Sequence, residues 1–336
     1  MSRLQRSYAV QGLYLRARVE TARLAGALED VLGRFSADSS SRVDYSIGLC
    51  IGAPPAPGEE PANMQRFWSG VLPNGLEITY WTGPGLRRID LPGLGRLHID
   101  FTARRADITV AEDATWCLPS GCIVPMLVEL LRESDQFVLH AATVVAEDKA
   151  QSQAILVAGA SGRGKTTTAL ALAGAGMKLA SDDASFVLAD DRSGNGLAVW
   201  GLLLRSKVHR RTLALLPWLK ELPRRDSRDP EEVYVDARAA VGLERPLRVR
   251  PGMILFLGPR SQDGHRIEPM DKVQALSLLT RENLCVADRS GDGPAGRAFR
   301  MFGRLVGRCD TYELQAGPDL ESLSGAVAPL LKWPAE

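Results

Sequence analysis

Residues 159–166 read Gly159-Ala160-Ser161-Gly162-Arg163-Gly164-Lys165-Thr166, and this stretch decides the fold. Its glycines allow the backbone to curl so that successive N–H groups point at one anion. In the pattern G-x-x-x-x-G-K-[ST], the lysine reaches the β- and γ-phosphates of a nucleotide and the hydroxyl residue ligates Mg²⁺. The stretch therefore predicts a phosphate-binding loop, and Thr167, which follows it directly, is a further nucleotide-binding candidate.

The sequence on both sides of the loop fits such a site. Residues 154–158 form a short apolar run of the kind that makes a buried strand. Residues 166–173 are rich in alanine and leucine, which favours a helix, and Gly174 and Gly176 suit its C-terminal end. The alternative is a purely structural turn between a strand and a helix. We favour the nucleotide site because strand, loop, Lys-Thr pair and helix all agree.

Composition limits the class of protein. The 336 residues are enough for about two domains, and 45% apolar with 24% charged residues is typical of a globular protein in water. The chain has 41 basic and 40 acidic residues, so no net field attracts nucleic acid or an anionic membrane. No run approaches the roughly 18 apolar residues of a membrane-spanning helix. The N-terminus lacks a secretory pattern. We therefore expect a cytoplasmic protein that binds neither nucleic acid nor membrane.

Cysteine usage points the same way. The five cysteines are an odd number in a long chain, so we expect reduced thiols: Cys50, Cys117, Cys122, Cys285 and Cys309. Cys117 and Cys122 flank Leu-Pro-Ser-Gly, but no second pair of ligands accompanies them, which argues against zinc. A turn between two small buried residues is the better interpretation.

Patterning along the chain predicts two parts, with a boundary near residue 133. Residues 1–133 form an N-terminal α+β module, with helical spacing at 20–35 and 123–131 and alternating strands within 43–112. Residues 134–336 form the nucleotide-binding domain. Strands are predicted near 155–158, 184–188 and 253–257, and helices near 165–174, 271–280 and 319–331. Strands that alternate with helices predict an α/β fold with some parallel pairing.

Two other segments are less regular. Residues 137–145 suggest a strand pair or a strand followed by a turn that leads into the sheet. Residues 222–232 are highly charged and contain two prolines, so we expect a solvated loop, with a flap over the site as the alternative.

A second candidate feature is the acidic doublet Asp182-Asp183, which follows a short apolar strand after the helix. Mg²⁺ takes oxygen ligands and keeps several waters, so one carboxylate, Thr166 and phosphate oxygens suffice to hold it. The other carboxylate is then free to orient or deprotonate an attacking hydroxyl. The alternative is that one of the two only turns the chain.

Together with Leu139-His140-Ala141-Ala142 upstream, the loop and doublet resemble the HPr kinase/phosphorylase family, and more distantly the ATP-dependent phosphoenolpyruvate carboxykinases. The resemblance covers residues 137–188 and, loosely, 250–331. It implies a P-loop kinase core of that type, with ATP and Mg²⁺ as cofactors. It implies that residues 159–165 bind phosphates, that Thr166 and Asp183 bind the metal, and that Asp182 is the base. The two aspartates could exchange roles. His140 would lie near the transferred phosphoryl group, or else be a core histidine on a strand.

The same resemblance suggests the acceptor. The chain is similar to HPr-kinase-related proteins of peptide-tailoring gene clusters, lasso peptides among them. This implies transfer to a serine of a protein or precursor peptide, with the N-terminal module recognising the substrate or mediating self-association into a homo-oligomer. The alternatives are a nucleotide-binding sensor or ATPase without phosphotransfer, and a small-molecule phosphotransferase.

A basic cluster follows the doublet: Arg205, Lys207, His209, Arg210 and Arg211. A cation aimed at the β- and γ-phosphates would stabilise charge in the transition state. Within the cluster, Arg205 and Arg210 are the candidates for that role. A solvated helix or loop face is the alternative interpretation.

Overall fold

The computed structural model describes residues 4–38, 42–56, 58–72, 75–149, 151–192, 196–283 and 293–333. Cys285 lies outside these ranges. The chain divides into two compact units, Met1–Leu131 and Arg132–Glu336. The division falls within two residues of the boundary expected from the sequence.

The first unit is built on one eight-stranded sheet, in the order β1-β2-β3-β8-β7-β6-β5-β4. Its strands are β1 (Leu4–Val10), β2 (Leu13–Val19), β3 (Tyr45–Ile51), β4 (Gln65–Val71), β5 (Glu77–Gly83), β6 (Leu86–Leu91), β7 (Gly95–Asp100) and β8 (Arg105–Val110). Strand β3 runs parallel to both β2 and β8, and the other pairs are antiparallel.

Two helices accompany this sheet. Helix α1 (Ala22–Leu32) begins where the Thr21 side chain accepts the Leu24 N–H, and its apolar face is buried. Helix α2 (Val124–Arg132) is amphipathic. Both helices confirm the sequence prediction. The expected burial of Cys117 and Cys122 is confirmed, although the chain makes successive 3₁₀ and π-helical turns there instead of one simple turn.

The second unit contains the loop and the doublet. Its strands are β9 (Phe137–Asp148), β10 (Gln151–Ala158), β11 (Lys178–Ser181), β12 (Ala184–Ala189), β13 (Leu197–Leu202), β14 (Ser206–His209), β15 (Arg224–Asp226), β16 (Glu232–Val235), β17 (Pro251–Leu257), β18 (Arg266–Pro269) and β19 (Asp310–Gln315). Its helices are α3 (Lys165–Gly174), α4 (Thr212–Leu215), α5 (Arg238–Val241), α6 (Lys272–Asn283), α7 (Pro294–Arg308) and α8 (Leu323–Val327).

The large sheet of this unit has the order β13-β12-β9-β10-β17-β19-β18, with β11 also paired to β9. Strands β10, β17 and β19 are parallel neighbours, which confirms the expected parallel pairing, and the remaining pairs are antiparallel. The fold is therefore mixed α/β. One apolar core, which includes α3 and α8, covers one side of the sheet, and a second core, which includes α6 and α7, covers the other.

Residues 137–145 lie in one strand, β9, and the turn at Lys149, which has φ of 52°, leads from it into β10. This confirms the second of the two expected arrangements, a strand followed by a turn. Two other local predictions need correction. The C-terminal helix is only α8 plus a 3₁₀ turn at Ala328–Leu330, because Pro329 has no N–H to continue the helix.

The second correction concerns the charged segment 222–232. Part of it is β15, which pairs with β16, and β16 in turn pairs with β14 to complete a three-stranded sheet. All three residues of β15 are exposed. Exposed edge strands accept charged side chains, so the charge pattern alone did not reveal a strand. Among the described residues, no helix combines the length and apolar character needed to cross a membrane.

Candidate functional site

The glycine-rich loop, residues 159–164, joins the end of β10 to the start of α3, which confirms the predicted strand and helix. Gly159, Gly162 and Gly164 have φ of 151°, 78° and 99°, a region that residues with a Cβ rarely adopt. Gly164 is the N-cap of α3 and has no side chain to bond the first turn. The N–H groups at this helix end therefore remain for an anion.

Lys165 is buried inside the curl of the loop. Its Nζ donates hydrogen bonds to the carbonyl oxygens of Gly159 at 2.9 Å and Ala160 at 3.4 Å. Desolvation lowers the pKa of Lys165, and the carboxylates of Asp183 and Glu282 partly offset this effect. The loop thus holds a cation at its centre, where phosphate oxygens need one.

The acidic doublet lies beside the loop because of the sheet topology. Strands β11 and β12 pair one after the other with the same edge of β9, and both run antiparallel to it. The doublet lies between these two strands, where the sequence predicted a strand followed by a turn. Strand β10 ends at the same level, with Ala158 opposite Ala141 of β9. The Thr166 Oγ1 lies 3.5 Å from the Asp182 carbonyl oxygen, which joins the first turn of α3 to the doublet.

The two aspartates meet different environments. Asp182 is 7% exposed, and desolvation, with a smaller contribution from the charge of Asp183, raises its pKa to about 7. The side chain of Asp183 is 69% exposed. Desolvation in the cleft would raise the pKa of Asp183, but the hydrogen bond with His140 and the charges of His140, Lys165 and Lys207 lower it below its usual value.

His140 lies on β9 and belongs to this cluster. Its Nε2 is 3.0 Å from Asp183 Oδ1, and its side chain is 36% exposed, unlike that of a core histidine. Its backbone N–H donates to the Asn283 Oδ1 at 2.6 Å, at the end of α6. The structure therefore brings together His140, Lys165, Thr166 and both aspartates.

Strand β14, which carries part of the basic cluster singled out from the sequence, lies beside the doublet. Ser206 is fully buried next to Asp182, and the Thr212 Oγ1 at the start of α4 lies 3.4 Å from the Thr167 Oγ1 of α3. The positive charge of Lys207 contributes to the lowered pKa of Asp183, and the Lys207 Nζ lies 2.8 Å from Glu232 Oε2. The register of β14 against β16 places Lys207 diagonally opposite Glu232, and no local pattern could supply that pairing.

The two arginines favoured from the sequence both pair with carboxylates. The Nε of Arg205 is 3.7 Å from Asp236 Oδ2. Arg210 donates to Asp226 at 2.8 Å and to the Pro230 carbonyl oxygen at 2.7 Å, at an exposed position.

A cleft of about 260 Å³ adjoins the loop on the side of α6. Its walls come from the loop, the carboxyl end of β17 and α6, and they include Ala160, Arg163, Leu257, Leu279 and Glu282. The carboxyl ends of parallel strands are the usual location of ligand sites in open α/β sheets.

The residues fit a magnesium nucleotide. An added Cβ at Gly159 would lie 3.2 Å from the Leu257 Cβ, a tight approach of β17 that adds to the strain of the positive φ at this position. Among the residues the structure describes, no group of three or more His, Cys, Asp or Glu side chains can hold a metal by itself. Mg²⁺ needs only one or two carboxylates when phosphate oxygens complete its shell, and the Thr166 hydroxyl and the Asp183 carboxylate are oxygen groups of the kind it binds.

No family model and no curated protein match the chain, so neither comparison assigns it to a family. Among solved structures, the chain is similar to the HPr(Ser) kinase/phosphatase from Coxiella burnetii, with 16% sequence identity and a TM-score of 0.23. The match covers 40% of this chain and 77% of that chain. A likeness at this TM-score decides neither the fold nor the activity, so the function must be argued from the residues of the site.

Proposed function

We propose that the chain is an ATP- and magnesium-dependent kinase with a core of the HPr kinase type, which transfers the γ-phosphate to a serine hydroxyl of a protein or precursor peptide. The observation that supports this best is the meeting of the loop cation Lys165, the Thr166 hydroxyl and the two aspartates at the carboxyl end of β10. Phosphoryl transfer needs this combination of a phosphate cradle, a metal-ligating oxygen and a carboxylate base.

In the proposed reaction, the bond from the serine oxygen to the γ-phosphorus forms while the bond from that phosphorus to the β–γ bridging oxygen breaks. ADP carries away the bridging oxygen and its electrons. The hydroxyl proton passes to the carboxylate of Asp182, which is buried and poised near neutrality. Bound magnesium would neutralise phosphate charge, held by Thr166 and by the ionised carboxylate of Asp183.

The remaining residues position these groups. The loop N–H groups and Lys165 bind the β- and γ-phosphates, where they stabilise the charge that spreads over the transferred group. His140 holds Asp183 through its hydrogen bond of 3.0 Å. The serine acceptor is the part of the proposal that the sequence resemblance supports, and we expect neither nucleic acid nor membrane to be the partner.

The test is phosphate incorporation from γ-labelled ATP into serine-centred peptide libraries and metabolite mixtures, identified by mass spectrometry. We expect label on serine peptides and a loss of about 100- to 1,000-fold in Lys165→Ala. Lys178→Ala is the matched control, because Lys178 is exposed at the start of β11 and away from the loop contacts. Full activity in Lys165→Ala would refute the proposal, and label on metabolites alone would replace the peptide acceptor with a small molecule.

Asp182→Asn separates a kinase from a nucleotide sensor. The amide keeps the shape of the side chain but cannot accept the hydroxyl proton, so transfer should fall by at least about 100-fold while ATP binding persists. A variant that keeps full transfer would remove Asp182 from the role of base.

A further inference from the structure

The chain that leaves β17 runs beside the phosphate loop and approaches both of its ends. At the first end, a Cβ added to Gly159 would lie 3.2 Å from the Leu257 Cβ. At the other end, the Arg260 Nη2 lies 4.0 Å from the position that a Cβ on Gly164 would occupy. The two residues between these contacts line the cleft together with the loop. The guanidinium group of Arg260 is therefore a neighbour of the loop on the side of β17.

The backbone that carries Arg260 is held on both sides. The Gly258 N–H donates to the Leu314 carbonyl oxygen at 3.0 Å, and the Ser261 N–H donates to the Ala316 carbonyl oxygen at 3.1 Å. Leu314 lies in β19, the neighbour of β17 in the sheet, and Ala316 follows directly after that strand. These bonds continue the pairing of β17 with β19 past the end of β17. The sheet therefore sets the position of Arg260 relative to the loop.

The guanidinium group of Arg260 is not engaged by the protein. Among the residues that the structure describes, none forms an ion pair or a side-chain hydrogen bond with it. A carboxylate is available nearby, since Glu313 Oε1 would stand 2.5 Å from a Cβ added to Gly258, but this oxygen accepts a hydrogen bond from Gln315 Nε2 at 3.1 Å. Arg260 is exposed, so its side chain is free to extend into water. No described contact within the protein explains why it lies against the loop instead.

The place where this cation lies is unfavourable unless an anion is bound. Gly164 is the N-cap of α3, and positive charge is destabilising at the N-terminal end of a helix. Lys165 already holds one cation at the centre of the loop, and Arg163 adds another where the loop lines the cleft. A ligand with several negative charges, bound by the loop N–H groups, would offset this concentration of positive charge. The arrangement therefore fits a chain of phosphates.

We propose that Arg260 binds the phosphate chain of the nucleotide from the side of β17. The inference rests on the proposed function, because the ligand is the same nucleoside triphosphate. A guanidinium group presents a planar fork of donors that binds two phosphate oxygens at once, which an ammonium group does not. Arg260 stays charged throughout, moves no proton and adds no covalent step. It takes the role that the sequence suggested for Arg205 or Arg210.

The experiment measures, by calorimetry on the full chain with magnesium, the affinity for a non-hydrolysable ATP analogue and for inorganic tripolyphosphate, which has the phosphates without the nucleoside. For Arg260→Ala we expect a similar loss of about 10- to 100-fold for both ligands, because charge-assisted hydrogen bonds to phosphate are removed. Arg260→Lys should recover part of the affinity for both, since it keeps the charge but not the fork. Neither substitution should change the urea midpoint of the ligand-free protein, because the side chain is exposed.

Arg266→Ala is the matched control, since Arg266 is the next arginine along the chain, is also exposed and lies on β18, two strands away from β17. Arg260→Gln, which keeps more of the side chain, serves if the alanine variant fails to fold. Unchanged affinity for both ligands in the Arg260 variants would overturn the inference alone. So would a loss seen with the analogue but not with tripolyphosphate, or a lowered urea midpoint in the ligand-free variants. A wild-type protein that does not bind the analogue would overturn the proposed function and the inference together.

Discussion

At the residue scale, Asp182 and Asp183 are neighbours in the chain that meet opposite surroundings. Asp182 is buried beside Ser206, and burial raises its pKa to about 7. Asp183 faces His140 and solvent, and the nearby cations lower its pKa. Two carboxylates with separated pKa values can take different roles at neutral pH, which is the pattern of an acid–base group beside a charged ligand.

The buried aspartate should cost stability when it is ionised. Its folded pKa is raised above the unfolded value, so the cost is absent below the unfolded pKa of about 4, grows as pH rises and is complete above about 7. The Asp182→Asn substitution should therefore raise the free energy of unfolding by about 2 kcal/mol more at pH 8 than at pH 5, measured by urea unfolding with a chelator present. Asp183→Asn is the control and should show no such gain. An Asp182→Asn gain that does not depend on pH would contradict this account of the residue.

At the element scale, β13 holds the doublet in place. Gly201 lies so close to β11 that an added Cβ would stand 2.2 Å from the Ala180 carbonyl oxygen. Ala180 is two residues before Asp182, so any movement of β11 shifts the carboxylates relative to the loop. A larger side chain at position 201 would therefore push β11 away from β13 and displace the two carboxylates.

Gly201→Ala should destabilise the protein by about 2–4 kcal/mol in urea unfolding and weaken nucleotide binding. Gly307→Ala is the matched control, because this helical glycine in α7 has no atom within 4 Å of an added Cβ. This control substitution should leave the free energy of unfolding unchanged or raise it by up to about 1 kcal/mol. Equal effects of the two substitutions would show that the approach of β13 to β11 is not tight.

Element prediction from sequence succeeded where the signal is local. The loop, β10 and α3 are adjacent in the chain and each carries its own pattern, so their positions were predictable. The pairing of β14 with β16 joins segments more than twenty residues apart, and no local pattern encodes that register. For the same reason, the sequence could not show that Asp236 is a partner of Arg205.

At the scale of the whole molecule, each unit has a core of its own. Both apolar clusters around the loop consist of residues from the second unit, as do all the candidate site residues. The first unit buries a separate set of apolar residues along its own sheet. The nucleotide site should therefore be a property of the second unit.

Residues 132–336, expressed alone, should unfold cooperatively and bind Mg-ADP within about 3-fold of the full chain, because the cores on both sides of its sheet are present. Circular dichroism and calorimetry measure the two properties. Residues 1–131 are the control and should bind no nucleotide. A second unit that does not fold alone, or that loses nucleotide binding, would show that the site needs the first unit.

The central claim is that the loop and the aspartate doublet form one magnesium–nucleotide site. Its most direct test is calorimetric titration of Mg-ATP into the full chain and into Lys165→Ala. The account predicts one bound nucleotide per chain in the wild type, with an affinity in the micromolar range typical of enzyme substrates, and a loss of at least about 100-fold in the variant. No heat in the wild type, or equal affinity in the two proteins, would contradict it.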